Sequence, residues 1–68
     1  MDDGTAFNLI GQTTSLIIEG RRVDGVMVTS NEVSTSGPGY LVLVLPTLVG
    51  QPTNRIRVRM DKVEVAQP

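Results

Sequence analysis

Leu16-Ile-Ile-Glu-Gly-Arg-Arg-Val-Asp-Gly-Val-Met-Val-Thr-Ser-Asn-Glu32 is the stretch whose reading decides the fold. It contains two runs rich in β-branched and aliphatic residues, joined at Gly20 where a turn is wanted. A second glycine, Gly25, lies inside the second run, where a missing side chain permits a sharp bend or a bulge. A strand bent in that way curls a sheet toward a barrel. Val26, Met27 and Val28 form a short apolar run without alternation, which predicts burial on both faces.

Upstream, Thr14 to Glu19 reads as the first strand, bounded by Gly11 and Gly20. Thr5 to Gly11 has two readings. Either Thr5 caps a short helical turn carrying Phe7, Leu9 and Ile10 with Gly11 as its stop, or Ala6, Asn8 and Ile10 alternate along a strand; the helical turn is preferred. Met1 to Gly4 is acidic and is expected to fray.

Downstream, the second strand runs from Val23 to about Val33, and Ser34 to Gly39, Ser-Thr-Ser-Gly-Pro-Gly, breaks it with a loop. Tyr40 to Leu45 is wholly apolar, so one face is expected to meet the interior and the other a helix or another subunit. Pro46 ends that strand and Thr47 to Asn54 makes the next loop. Arg55 to Asp61 then alternates, with Ile56, Val58 and Met60 on a dry face and Arg55, Arg57, Arg59 and Asp61 on a wet one. Val63 and Val65 belong to a short closing strand. The expected fold is all-β: a single domain over residues 1–68, a small, strongly bent, five-stranded barrel of the SH3-like or Sm-like kind, preceded by a short helical turn.

Sixty-eight residues are few for a self-sufficient core, and the chain has neither cysteine nor histidine with which to staple itself. Oligomerisation is the remaining staple, so a homo-oligomer is expected. The same two absences remove the usual base, thiol nucleophile and soft-metal ligand, so no enzyme, cofactor or metal is expected. Ser34 to Gly39 lacks the lysine and following helix that a phosphate-binding loop requires. The net charge of −1 argues against bulk attraction to nucleic acid or membrane. The longest apolar run, Tyr40 to Leu45, falls far short of a membrane span, and a cytoplasmic location is expected.

Laid out in this order, the chain resembles the Sm-like (LSm) family of small RNA-associated barrels that assemble into rings. The first motif of that family is met by Ile18-Glu19-Gly20-Arg21-Arg22-Val23-Asp24-Gly25-Val26-Met27, with glycines five positions apart. Where the family has an acid and an asparagine, this chain has Asn31-Glu32-Val33-Ser34-Thr35, so Glu32 stands for the acid and the asparagine is lost or displaced to Asn31. The second motif falls on Ile56-Arg57-Val58-Arg59-Met60-Asp61-Lys62-Val63-Glu64-Val65, with Arg59 at the arginine and Met60 in place of the glycine. In the family that arginine and glycine help shape a pocket for an RNA base, and a methionine side chain would fill it. The resemblance implies a ring-forming homo-oligomer and single-stranded RNA as a partner.

The candidate RNA-binding residues are Arg57, Arg59, Asn31, Arg55 and Tyr40. The arginines alternate along one strand, spaced about 6 to 7 Å on one face, close to a single-stranded phosphate repeat. Asn31, Asn54 and Tyr40 offer base-edge hydrogen bonds and a stacking surface. The competing reading makes the arginines a soluble strand face paired with Glu19, Asp61 or Glu64, the asparagines turn residues and Tyr40 a half-buried packing residue. Arg21 and Arg22 are expected to be turn charges without a role. Two other functions stay in view. One is a structural or assembly protein, from a phage particle or an accessory gene, that kept the ring and lost the base pocket; the other is a proline-peptide adaptor, disfavoured by the scarcity of aromatics.

Overall fold

The computed structural model describes residues 1–46, 50, 52 and 54–66. A helix, α1 (Asp3–Leu9), is followed by β1 (Thr13–Ile18), β2 (Arg21–Glu32), β3 (Tyr40–Leu45), β4 (Asn54–Arg59), a 3-10 turn (Met60–Lys62) and β5 (Val63–Val65). The strands form one antiparallel sheet in the order β4-β3-β2-β1-β5. The expected barrel is not closed: the sheet is open, and no pairing joins β4 to β5 among the described residues. Those two edge strands are nevertheless separated in sequence by only the three residues of the 3-10 turn. At about 2 Å rise per residue, that turn spans the gap only if the sheet is curled until its edges approach.

The curl comes from β2, twelve residues long and bulged twice. Thr14 pairs with Val26 and Leu16 with Val23, so Ser15 faces both Asp24 and Gly25. Gly25 has φ +73°, a conformation that costs any residue with a Cβ. The Ser15 hydroxyl and, after it, the Arg22 guanidinium hold the Asp24 carboxyl below the usual aspartate range. On the other side Val28 pairs with Leu43 and Ser30 with Val42, leaving Thr29 as the extra residue. Its hydroxyl donates to the Val42 carbonyl at 2.9 Å. The first bulge resets the alternation, so that Val23 packs on the core and Val26 is buried within it although the two are three apart.

The core contains Ala6, Leu16, Val26, Val28, Leu41, Leu43, Met60 and Val63. Met27 is 39% exposed, which corrects the expectation that Val26 to Val28 is buried on both faces. Its run of apolar residues is an ordinary one-sided strand whose outer position happens to be methionine. The β1–β2 connection is the two-residue turn Glu19-Gly20, with φ of 51° and 85°, the positive pair that matches strand twist in a type I′ hairpin.

The helical reading of the N-terminal stretch holds, but Asp2 rather than Thr5 is the cap. Its carboxylate accepts from the Thr5 backbone N–H at 2.7 Å, which lowers its pKa. The segment expected to fray is thus the start of the helix, and the Met1 amine donates to the carbonyls of Met60 and Val63, each at 3.0 Å. Gly11, with φ +84°, stops the helix as expected. Ala6 and Leu9 turn to the core, and Phe7 is exposed.

The β4 strand ends at Arg59, two residues before the expected limit, because the chain turns at Met60 to reach the other edge. The expected loop Thr47 to Asn54 lies outside the described residues apart from Gly50, Pro52 and Asn54, and Asn54 begins β4. At the end of the Ser34 to Gly39 loop, a Cβ on Gly39 would collide with the backbone carbonyl of Glu32, while the Gly39 carbonyl accepts from Met60 N–H at 2.9 Å. No helix of the described residues is long and apolar enough to cross a membrane.

Candidate nucleic-acid interface

Strand register arranges the outer face of β2, β3 and β4 into three cross-strand rows. These are Glu32–Tyr40–Arg59, Ser30–Val42–Arg57 and Met27–Val44–Arg55. Leu41 and Leu43 point the other way and are buried, so the same six-residue strand β3 has one dry face and one half-exposed face. The stems of Arg57 and Arg55 stand opposite Val42 and Val44 and cover part of what a second layer was expected to cover.

Four of the five candidates, Tyr40, Arg55, Arg57 and Arg59, therefore share this face. Asn31 does not. It pairs with Leu41, on the inner side of the sheet, and its Oδ1 is buried without a hydrogen-bond partner. The Thr29 bulge sets this outcome, since one extra residue flips every side chain beyond it.

Arg57 leaves its own row. Its guanidinium crosses the Tyr40 ring, 3.9 Å from the centroid, and binds the Glu32 carboxylate through Nε and Nη2, both at 3.1 Å. This is a two-point contact with an aromatic floor, tighter than an ordinary surface pair. Arg59 pairs with Asp61 at 2.7 Å. Arg55 makes no ion pair among the described residues. Three arginines facing two carboxylates leave this patch with a surplus of one positive charge. Of the acids expected to pair with the arginines, Asp61 does so; Glu32, which takes Arg57, was not among them. That pairing was out of reach of the sequence because it runs diagonally between strands whose register depends on a bulge at a threonine.

Met60 is 3% exposed and sits in the core, with its N–H held by Gly39 and its carbonyl by Met1. Its burial agrees with the alternation that puts Ile56, Val58 and Met60 on a dry face. Arg22 pairs with Asp24 at 3.1 Å and Arg21 begins β2 opposite Ile18.

A groove of about 580 Å³ opens along the middle row, lined by Thr29, Ser30, Val42, Arg55, Ile56 and Arg57. A second cleft, near the β1–β2 turn, is lined by Ile17, Glu19, Gly20, Asp61, Lys62 and Glu64, so three acids face one lysine there. The first is thus lined by two arginines and, among the described residues, no acid, the reverse of the second. Compared with protein-family models, curated proteins and solved structures, the chain matches no family model, no curated protein and no solved structure.

Proposed function

We propose that this chain is a non-enzymatic, Sm-like subunit that assembles into a homo-oligomeric ring, and that its arginine face makes weak contact with single-stranded RNA. The observation that carries the proposal is the strand order, which among the described residues leaves β4 and β5 as unpaired edges joined by a three-residue turn. An unpaired edge is a template for another strand. The two edges are complementary in pattern. On β4 Ile56 and Val58 face inward and Arg55, Arg57 and Arg59 outward; on β5 Val63 is buried, Val65 lies on the same side opposite Leu16 but is 38% exposed, and Glu64 faces outward. Pairing β4 of one copy with β5 of the next sets valines against aliphatic neighbours on one side and Glu64 among arginines on the other.

Sedimentation of the 68-residue chain at micromolar concentration tests the assembly. A single species several times the 7.3 kDa subunit mass is expected, and a 7.3 kDa monomer overturns it.

One observation favours the second reading, a structural or assembly protein of a phage particle or accessory gene that binds no RNA. Met60 fills the interior where the family pattern keeps a glycine beside the base pocket. Anisotropy with oligo-uridine at low salt separates the two. Binding that weakens in Arg55→Ala and Arg59→Ala supports an RNA contact on this face, and no binding leaves an assembly protein.

A further inference from the structure

We infer that the groove beside the Thr29 bulge is a subsite for one phosphate of a single-stranded RNA backbone, held partly shut by Glu32; this rests on the RNA contact proposed above. In register, Arg57 belongs to the row of Ser30 and Val42. It leans out of that row across Tyr40 to Glu32, and the groove is the space beside it.

The walls suit a phosphate. Among the described residues Arg55 supplies a guanidinium with no ion pair and no acid lines the groove. Ser30 offers a hydroxyl donor, whereas the Thr29 hydroxyl proton is committed to the Val42 carbonyl. Arg57 uses Nε and Nη2 on Glu32, and its planar fork is the group best matched to phosphate oxygens. A phosphate in the groove competes with the Glu32 carboxylate for that fork.

Release of Arg57 has a second effect. The Tyr40 face it now covers at 3.9 Å becomes a platform on which a base can stack. Cation and stacking surface are thus exposed by the same movement, and Glu32 opposes both. The weakness of the RNA contact follows from this competition rather than from a shortage of arginines.

The test measures oligo-uridine affinity by anisotropy across a salt series for the full chain and three variants, each checked by thermal melting. Glu32→Gln keeps the shape and removes the charge. It should bind about three- to ten-fold tighter, since a two-point pair over an aromatic ring is lost. The slope of log K against log salt should steepen by about 0.7, one further phosphate neutralised. Arg55→Ala should lose affinity and flatten the slope by a similar amount, and Ser30→Ala should weaken binding modestly at unchanged slope.

If Arg55→Ala weakens binding while Glu32→Gln changes neither affinity nor slope, the Glu32 gate is overturned and the RNA face stands. If neither the parent chain nor Glu32→Gln binds at low salt, both the subsite and the RNA contact fall. Inorganic phosphate at matched ionic strength should compete poorly; competition as strong as that of unlabelled oligo-uridine overturns the assignment to an RNA backbone.

Discussion

Strand β2 bends twice, and the two bends are made by different chemistry. At the first, Gly25 adopts a positive φ and the extra residue is absorbed by a backbone that only glycine takes up without cost. At the second there is no glycine. Thr29 is simply pushed out of register, and its hydroxyl satisfies the Val42 carbonyl at 2.9 Å. The first bend is a local property of one residue. The second exists only when β3 is in place to accept the hydrogen bond. Both turn the same strand, yet only the second decides what the arginine face looks like, because it sends Ser30 and Glu32 outward and Asn31 inward.

Substitutions at the end of the strand and at each bend set the two apart, beginning with the largest expected effect. Gly39→Ala strikes the far end of β2, where the added Cβ meets the Glu32 carbonyl and neither backbone can yield easily. A loss of about 3 kcal/mol is expected in urea melts, a large part of the stability of so short a chain. Gly25→Ala comes next, at about 1–2 kcal/mol. Its cost is conformational rather than steric, since the nearest outside atom, the Pro46 Cβ, would lie 3.9 Å away. Gly25→Asn should therefore recover part of the loss, and a failure to recover any would mean that space, not φ, demands the glycine.

Thr29→Val should cost about 1 kcal/mol, or some 4–8 °C in melting temperature, by leaving the Val42 carbonyl without its donor. Thr29→Ser should be nearly neutral. Equal losses from the two would show that the second bend does not depend on the hydroxyl.

The smallest effects concern the turns and caps that flank the bends. Glu19 holds φ 51° without being glycine, so Glu19→Gly or Glu19→Asn should stabilise by about 0.5–1 kcal/mol. Asp2 and Asp24 each have a pKa lowered in the folded protein, by the Thr5 backbone N–H and the Ser15 hydroxyl respectively. Their contribution is present above the unfolded carboxylate range and disappears as pH falls below about 4 through the folded values. Melting temperature should drop over that window, and Asp2→Asn with Asp24→Asn should flatten the drop.

Much of the sheet could be read along the chain. The loop at Ser34 to Gly39, the apolar strand Tyr40 to Leu45, the alternation on β4 and the glycine stop at Gly11 are all local signals, and each lies where it was expected. The cap on α1 moved to Asp2 because either residue satisfies the capping preference and packing of Ala6 and Leu9 chooses between them. Three adjacent apolar residues do not say which of them faces water, and in Val26 to Val28 it is Met27. The candidate face was half legible. Alternation alone put three arginines together, but the pairing of Arg57 with Glu32 and the removal of Asn31 to the inner side required the register across a bulge that no glycine announces.

The amino-acid sequence by itself determined where this chain turns and which residues alternate, because φ preference and side-chain period are properties of short segments. Gly20, Gly25 and Pro46 needed no partner to act. Only the tertiary structure decided which faces meet. It curled β2 at Thr29 and laid Arg57 over Tyr40 onto Glu32. Each of these depends on strand register, and register is a relation between segments: a slip of one residue reverses every side chain that follows.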